Sequence, residues 1–281
     1  MSNNGLYDLT PVVLFDVDGT LTAHRRKIKS NVINALLELS ELATIGLVTG
    51  SPFSLIEEQL EPFFNHKDAS ITENVDIFPC NGTQHFYWDA VDCKFSCSAT
   101  HSMRAKLGEE CFRKLIISLQ ELQLSFINEF ALDQDIPLCG NFIDYRGSLL
   151  NWCPIGRAAN FDDRKKFIKC DKNLQIRSCL MKKFKDMACD VDGVVINYGG
   201  QTSFDIFPLG WDKTFCLKNY GDADVWFVGD RCKPGGNDYE IFDLLNKKGR
   251  AFETTSPTMT VKIISEKIIP QIREFLLSIT D

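Results

Sequence analysis

Short apolar runs alternate with helical patterns over the first eighty residues. Residues 11–15 form a nearly continuous apolar run, and Ile45–Val48 and Val75–Phe78 form two more. Between these runs, Ser30–Leu42 and Phe53–Leu60 carry apolar residues at helical spacing, and the first residue of Ser30–Leu42 is a good N-cap. Apolar runs without polar alternation suit strands buried on both faces. The alternation predicts an α/β fold with a parallel sheet.

The pattern changes in the middle of the chain and then returns. Antiparallel hairpins and helices are predicted there: strands near 86–88, 94–96, 141–145, 149–153, 193–198 and 203–207, and helices near 103–124, 161–169 and 174–188. After them come a helix from about Trp211, an apolar strand at Val225–Val228, a helix at Asp238–Leu245 and a closing helix from about Thr258. We therefore predict a Rossmann-like α/β domain at 1–97 and 209–281, interrupted by an α+β domain at 98–208.

Composition and charge narrow the class of protein. The 281 residues are 44% hydrophobic and 25% charged, which is typical of a globular chain. The net charge of −7 argues against nucleic acid or an acidic membrane as a partner, because both require a basic surface. No apolar run has the length of a membrane span, and the N-terminus lacks the apolar core of a signal peptide. Eleven cysteines without a C-x-x-C pair are best interpreted as buried, reduced thiols, so we expect a cytoplasmic protein.

The strongest chemical signal is the segment Asp16-Val17-Asp18-Gly19-Thr20-Leu21-Thr22, which follows the first strand. Open α/β sheets place their ligand crevice at the carboxyl ends of the strands. Asp16 can attack a phosphorus atom and carry the phosphoryl group. Asp18 can then serve as general acid and base. Gly19 allows the sharp turn that brings both side chains over one site.

A second group of polar residues follows another buried strand. Asp230 comes directly after that strand and precedes the turn Pro234–Asp238. Mg²⁺ prefers hard oxygen ligands, and the carboxylates of Asp16 and Asp230 with the main-chain carbonyl of Asp18 would provide them. Such an ion would reduce the repulsion between a carboxylate nucleophile and a phosphoryl group.

Two weaker signals complete the set. Lys213 lies at the predicted start of a helix, where an ammonium group can reach an aspartyl phosphate. Thr49-Gly50-Ser51 ends the second strand, and either hydroxyl, that of Thr49 or that of Ser51, could bond a phosphoryl oxygen. Together the four segments resemble the catalytic loops of the haloacid dehalogenase superfamily in order, strand position and chemistry.

Segments of the inserted domain resemble one family within that superfamily, the eukaryotic phosphomannomutases. The resemblance is carried by residues 140–146, 154–157 and 199–208, continues into 210–213, and weakens between Thr83 and Leu138. It implies a haloacid dehalogenase core with a substrate-binding cap. It also implies interconversion of mannose 6-phosphate and mannose 1-phosphate, priming by a hexose 1,6-bisphosphate, supply of GDP-mannose synthesis, and a homodimer formed through the cap.

The resemblance also assigns roles to individual residues. It assigns catalysis to Asp16, Asp18 and Lys213, and it assigns metal binding to Asp16, Asp18 and Asp230. Sugar phosphate binding falls to Arg25, Ser51, Arg146, Arg157, Arg164, Ser203 and Asp205. Guanidinium groups hold phosphates bidentately, so several arginines suit the phosphate that does not react.

The chain departs from the family pattern at a few positions. Cys80 replaces a glutamate before Asn-Gly, Arg146-Gly147-Ser148 replaces Arg-Asn-Gly, Thr49 replaces a common glycine, and residues 231–233 are unusually basic. These differences leave the catalytic carboxylates in place but bear on sugar specificity and on water access. Two alternatives therefore stay open: a magnesium-dependent sugar phosphatase, and a catalytically silent binding protein on the same fold.

Overall fold

The computed structural model describes residues 10–66, 70–187 and 193–280. It divides into two compact units. The first combines the residues up to Thr100 with those from Trp211 onward, and the second is His101–Gly210. Both limits of the inserted unit fall a few residues after the positions expected from the sequence. The roles of the units as catalytic core and substrate-binding cap stay predictions.

The chain up to Thr100 follows the expected alternation of strands and helices and ends in a hairpin. Its elements are β1 (Val12–Phe15), α1 (Ser30–Ser40), β2 (Thr44–Val48), α2 (Phe53–Phe64), α3 (Ser70–Glu73), β3 (Val75–Phe78), the single turn α4 (Pro79–Gly82), β4 (Gln84–Asp89) and β5 (Lys94–Thr100).

The second unit is α+β, as the sequence predicts. Its elements are α5 (Met103–Leu107), α6 (Glu109–Phe126) with a π-helical turn at Ile127–Ala131, β6 (Ile143–Tyr145), β7 (Leu150–Trp152), α7 (Phe161–Leu174), α8 (Ile176–Met187), β8 (Val194–Gly199) and β9 (Ser203–Pro208).

The last segment returns to the first unit. It contains a 3₁₀ helix (Lys213–Asn219), β10 (Val225–Gly229), α9 (Tyr239–Asn246), β11 (Ala251–Glu253), α10 (Pro257–Ile263), a π-helical turn (Ile264–Ile268) and α11 (Ile269–Thr280).

The first unit is built on a seven-stranded sheet of order β11-β10-β1-β2-β3-β4-β5. The five strands from β11 to β3 are parallel, and the hairpin β4–β5 extends the sheet in antiparallel fashion. The carboxyl ends of the parallel strands share one edge, so the segments that follow β1, β2, β3 and β10 converge there.

Alternate residues of β1 enter the cores on the two faces of this sheet. Val13 and Phe15 pack in a cluster with α1, α10 and α11, whereas Val12 and Leu14 pack in a second cluster with the 3₁₀ helix and α9. All four side chains are fully buried. The predicted burial of this strand on both faces is therefore confirmed.

The second unit contains a four-stranded antiparallel sheet of order β6-β7-β9-β8. Its registers align Asp144, Asn151, Asp205 and Asn197 in one row across all four strands. The neighbouring row, which points to the other face because side chains alternate along a strand, is Ile143, Trp152, Phe204 and Tyr198. Trp152 and Phe204 are fully buried and stacked at 5.0 Å. One face of the sheet thus supplies an apolar core, and the other carries a polar row.

Three local predictions were wrong. The predicted helix Met103–Leu124 is two helices, because Gly108 adopts a left-handed φ of 81° between α5 and α6. The N-cap of α1 is Lys29 rather than Ser30, and no side chain caps it. The helix expected from Trp211 is a 3₁₀ helix that begins at Lys213.

The cysteines of the described residues are free thiols, as expected, but only Cys80, Cys153, Cys216 and Cys232 are buried. Cys189 lies outside the described residues. Among the described helices, none combines the length and the apolar character that crossing a bilayer requires.

The packing of α1 generates the first testable prediction. Leu36 is fully buried, whereas Asn34, two residues earlier on the same helix, is exposed. We expect Leu36→Ala to lower the free energy of unfolding by about 2–5 kcal/mol, because it leaves a cavity in the core. Asn34→Ala is the matched control and should change that free energy by less than about 0.5 kcal/mol. Urea denaturation measures both, and equal effects would contradict the assignment of the buried face.

Candidate active site

A buried lysine lies at the carboxyl edge of the parallel sheet. Lys213, the first residue of the 3₁₀ helix, is fully buried. Its Nζ donates to Asp16 Oδ1 at 2.5 Å and to Asp238 Oδ1 at 2.6 Å. Asp16 follows β1 and is held by a hydrogen bond from its main-chain N–H to the carbonyl of Val228 in β10. The predicted convergence of Asp16 and Lys213 is present in the structure.

Asp238, which the sequence analysis did not assign to the site, organises the loop after β10. Its Oδ2 accepts the main-chain N–H groups of Asp230 at 3.1 Å and Arg231 at 2.9 Å, while Oδ1 bonds Lys213. Both carboxylate oxygens are thus occupied by donors within the first unit. The position of Asp238 just before α9, after a Gly-Gly-Asn sequence, was the only signal that could have indicated it.

The described residues include one acidic group suited to a metal ion. One carboxylate oxygen from each of Asp16, Asp230 and Asp238 lies within 4.8 Å of the others. Gly19 is required beside this group: it has a φ of +96°, and a Cβ there would lie 2.4 Å from Asp230 Oδ2. Three hard oxygen donors and a restricted space fit Mg²⁺. Because Asp238 is already bonded by three donors, Asp16 and Asp230 are the better candidates for direct ligands.

The electrostatics of this group are unbalanced, because three carboxylates face two cations. Lys213 bonds Asp16 and Asp238, and Arg231 Nε lies 3.9 Å from Asp230 Oδ2. Burial raises the pKa of Asp16 well above its ordinary value. The charges of Asp238 and Asp230 add to this effect, and Lys213 opposes it. Burial also raises the pKa of Asp230, helped by Asp238 and opposed by Arg231 and Lys213. Burial alone would lower the pKa of Lys213, but Asp16 and Asp238 outweigh it and raise the pKa above its ordinary value. The lysine is therefore charged, and the site favours an additional positive charge.

Asp18 is held by a different set of contacts. Its Oδ1 accepts the main-chain N–H of Arg25 at 2.9 Å and the side-chain amide of Gln59, from α2, at 2.8 Å. Arg25 is exposed and has a left-handed φ of 55°. These bonds fix the Asp18 carboxylate at the same loop as Asp16, outside the acidic group.

The segments after β2 and β3 are joined by main-chain hydrogen bonds. The N–H of Cys80 donates to the carbonyl of Ser51 at 3.1 Å, and the N–H of Asn81 donates to that of Thr49 at 2.8 Å. Thr49 Oγ1 also accepts the N–H of Ser51 at 3.2 Å. Cys80 and Asn81 both have left-handed backbones, with φ of 52° and 61°. Left-handed conformations at non-glycine residues are costly and cluster at functional sites.

Two of the three predicted arginines of the second unit lie beside one carboxylate. Asp144 Oδ2 accepts Arg146 Nε at 3.0 Å and lies 4.0 Å from Arg157 Nε. The side chain of Arg146 is only 5% exposed, and that of Arg157 is 21% exposed. Two guanidinium groups therefore share one carboxylate at the end of the polar row.

Asn151 connects the predicted polar residues of the second unit, although its sequence context gave no signal. Its side-chain amide donates to Asp205 Oδ1 at 2.7 Å and to Ser203 Oγ at 3.1 Å. Its carbonyl oxygen accepts Arg157 Nη1 at 3.2 Å. Arg157, Ser203 and Asp205 thus belong to one hydrogen-bonded group centred on a buried amide.

Arg164 has a different environment from the other two arginines. Its three guanidinium nitrogens donate to the carbonyl of Ala159, to Thr202 Oγ1 and to the carbonyl of Arg157, at 3.0, 2.7 and 3.1 Å. These contacts tie α7 to the loop that carries Arg157. The predicted contact of Arg164 with a sugar phosphate stays a prediction.

Comparison with solved structures identifies the fold. Plasmodium falciparum IMP-nucleotidase is similar with a TM-score of 0.62 at 13% identity, covering 96% of this chain and 65% of that one. A sugar phosphatase of subclass IIB of the HAD superfamily is similar with a TM-score of 0.55 at 15% identity, covering 94% of this chain and all of that one. At these identities the likeness concerns the fold alone, which is that of the haloacid dehalogenase superfamily.

Sequence comparison is more specific. The model of the eukaryotic phosphomannomutase family matches residues 32–270. The phosphomannomutase of Schizosaccharomyces pombe is 36% identical over 260 residues, covering 89% of this chain and 91% of the relative. Those of Saccharomyces cerevisiae and Arabidopsis thaliana are 36% and 34% identical, over 91% and 89% of this chain and 93% of each relative. The chain belongs to the eukaryotic phosphomannomutase family.

The contact between α4 and the lysine-bearing segment generates a second prediction. Gly82 has a φ of +83°, and a Cβ there would lie 2.8 Å from the main-chain nitrogen of Cys216, in the 3₁₀ helix that begins at Lys213. Gly221 has a comparable φ of +56° but open space around its Cβ position.

We expect Gly221→Ala to lower the free energy of unfolding by about 1–2 kcal/mol, the cost of a left-handed backbone. Gly82→Ala should cost about 1–3 kcal/mol more, because the methyl group must displace main-chain atoms. Urea denaturation of both variants tests this. A Gly82 variant no less stable than the Gly221 variant would show that α4 does not support the lysine segment.

Proposed function

We propose that this chain is a magnesium-dependent phosphomannomutase that interconverts mannose 6-phosphate and mannose 1-phosphate through an aspartyl phosphate at Asp16. Membership of the family supports the activity. The observation that carries the proposal is the buried ion group of Asp16, Lys213 and Asp238, with Asp230 beside it. A nucleophilic carboxylate, a fixed cation beside it and further acidic ligands are what phosphoryl transfer through an aspartate requires.

In this mechanism Asp16 takes a phosphoryl group from a hexose 1,6-bisphosphate. An oxygen of Asp16 forms the new bond to phosphorus as the bond to the sugar oxygen breaks. Asp18 gives a proton to that leaving oxygen and later removes one from the attacking hydroxyl. Lys213 keeps the nucleophile ionised when the other carboxylates are neutralised, and it stabilises negative charge on the transferred group. The sugar then reorients, and the phosphoryl group returns to its other end.

The assignment of magnesium rests on the oxygen ligands that the acidic group offers. The carboxylates of Asp16 and Asp230, with the main-chain carbonyl of Asp18, would hold it. When bound, Mg²⁺ supplies positive charge that offsets the carboxylates and the phosphoryl oxygens. The excess of negative charge in the acidic group is the physical reason for expecting it.

The second unit would bind the phosphate that does not react. We assign this role to Arg146 and Arg157, with Arg164 supporting the loop of Arg157, and we assign sugar contacts to Ser203 and Asp205. The contact of Arg146 and Arg157 with Asp144 supports the assignment, because it directs two guanidinium groups at one anionic oxygen, the arrangement that binds a phosphate oxygen. Within the first unit, we assign contacts with a sugar phosphate to Arg25 and Ser51.

The wider setting follows from the same proposal. The enzyme would act in the cytoplasm on a phosphorylated hexose, without nucleic acid or membrane partners, and its mannose 1-phosphate would supply GDP-mannose synthesis. A homodimer through the second unit is supported by two exposed apolar side chains on one face of α6, Ile117 and Leu124, which are 50% and 59% exposed.

The activity is tested in one reaction tube. The purified protein is incubated with Mg²⁺, mannose 1-phosphate and a trace of glucose 1,6-bisphosphate, while mannose 6-phosphate and free phosphate are followed together. We expect the isomer to form in large excess over phosphate. Asp16→Asn should lose at least about 10³-fold in rate, because an amide is not a nucleophile towards phosphorus. Thermal denaturation of the variant confirms that it is folded.

Two other outcomes of this assay would indicate a different function for the chain. Phosphate release without the isomer would contradict the mutase proposal and identify a sugar phosphatase, with water as the acceptor. Neither product from the folded wild-type chain, with no uptake of BeF₃⁻ by Asp16, would identify a silent binding protein. Omission of the bisphosphate should abolish the initial rate if priming is required.

The proposed metal site gives a separate prediction. Asp230→Asn should raise the Mg²⁺ concentration required for half-maximal activity by about 10-fold to 100-fold, because a charged ligand is replaced by a neutral one. Asp222→Asn, at an exposed aspartate just before β10, is the matched control and should leave that concentration unchanged. Activity is titrated with Mg²⁺ after removal of metal by a chelator. Identical requirements in the two variants would remove Asp230 from the metal site.

A further inference from the structure

A serine, a histidine and an aspartate form a hydrogen-bonded chain at the β4–β5 hairpin. Ser98 Oγ lies 2.7 Å from His85 Nδ1, and His85 Nε2 lies 2.7 Å from Asp76 Oδ1. The hairpin is the edge of the seven-stranded sheet, and β5 is four strand positions from β1. At about 4.8 Å between neighbouring strands, this places Ser98 roughly 19 Å from the strand that carries Asp16. The proposed phosphotransfer mechanism uses none of these three residues.

In the neutral form of His85, the hydrogen bonds select the ring nitrogen that carries the proton. An ionised Asp76 only accepts hydrogen bonds, so His85 Nε2 carries the proton and donates it. Nδ1 is then the unprotonated nitrogen, and it accepts the hydroxyl proton of Ser98. This is the arrangement in which an imidazole acts as general base towards a serine, with the roles of the two ring nitrogens exchanged relative to serine proteases. Ser98 Oγ also lies 3.3 Å from the carbonyl of His85, a longer alternative for its proton.

The aspartate and the imidazole are both held in place. The side chain of Asp76 is 7% exposed, and its second oxygen accepts the hydroxyl of Tyr220 at 3.0 Å. Phe78 stacks on the ring of His85 with 4.8 Å between centroids and an interplanar angle of 11°. A buried carboxylate with a second donor and a stacked imidazole give a fixed base, which is what activation of a weak nucleophile requires.

A β-bulge directs the serine towards this base. His85 pairs with Ala99 and Phe86 pairs with Cys97, so Ser98 is the extra residue in β5. Bulges turn side chains away from the regular alternation of a strand and recur beside active sites. Ser98 is exposed, whereas the histidine is 19% exposed in its side chain and the aspartate is buried. Solvent exposure thus decreases along the chain from Ser98 through His85 to Asp76.

We propose that Ser98 is an activated nucleophile that accepts acyl groups from small activated esters, as an activity separate from phosphotransfer. Ser98 Oγ attacks the carbonyl carbon of the ester, and its proton passes to His85 Nδ1. The bond to the leaving alcohol then breaks, and the alcohol departs with that proton, which leaves an acyl ester on the serine. Water can subsequently hydrolyse this ester with the same histidine as base.

The experiment uses the full chain and p-nitrophenyl acetate as the probe. Release of p-nitrophenolate is followed, and the acetylated residue is located by mass spectrometry of a digest. The variants are Ser98→Ala, His85→Gln and, as the matched control on the same strand, Ser96→Ala. Mutase activity and thermal denaturation are measured for every variant, so that a folding defect is distinguished from loss of the base.

We expect wild-type protein and the Ser96 variant to be acetylated at Ser98 at the same rate. Ser98→Ala should abolish the adduct, and His85→Gln should slow acetylation by about 10²-fold to 10⁴-fold, the usual contribution of a general base. Both should retain the mutase activity of the wild type. Acetylation of Ser98 that is unaffected by His85→Gln, or acetylation confined to the exposed thiols Cys93 and Cys97, would overturn the proposal. So would a wild-type rate equal to that of Ser98→Ala.

Discussion

The ammonium group of Lys213 is the interaction on which the carboxyl edge of the parallel sheet depends. It joins Asp16, 197 residues away in sequence, to Asp238, 25 residues away. An isolated buried ammonium costs several kcal/mol, so Lys213 can be buried only where both carboxylates reach it. This requirement links the end of β1, the 3₁₀ helix and the start of α9. The parallel order of β1 and β10 is therefore a condition for the site as well as for the core.

The same group leaves an electrostatic imbalance that the fold does not remove. Lys213 bonds two of the three carboxylates and Arg231 lies near the third, yet burial together with mutual repulsion raises the pKa of Asp16 and of Asp230. A site designed only for stability would contain fewer acids or more cations. In the proposed function, this surplus of negative charge is what a bound metal ion would offset. The proposed function thus accounts for a feature that lowers stability.

The sequence predicted those parts of the structure that local patterns define. Asp16, Lys213 and Asp230 each come at a strand end or helix start that hydrophobic patterning reveals, so their convergence could be expected from parallel topology. Asp238 and Asn151 could not be predicted, because each is a single polar residue whose partners are distant in sequence. The break at Gly108 and the hydrogen-bonded chain at Ser98 were missed for similar reasons: one depends on a single backbone angle, and the other on a bulge in a strand.

In the proposed function the polar row of the second unit binds a phosphate, and its arginines already have partners before that ligand arrives. Arg146 is almost fully buried, and an unpaired guanidinium there would be costly. Asp144 supplies the compensating charge, and Asn151 satisfies a nitrogen of Arg157. In the proposed function a dianionic phosphate competes with Asp144 for the same donors. Replacing the Asp144 carboxylate by phosphate requires little new desolvation of the arginines. The preference for phosphate over Asp144 therefore depends on the second negative charge and the geometry of phosphate rather than on burial.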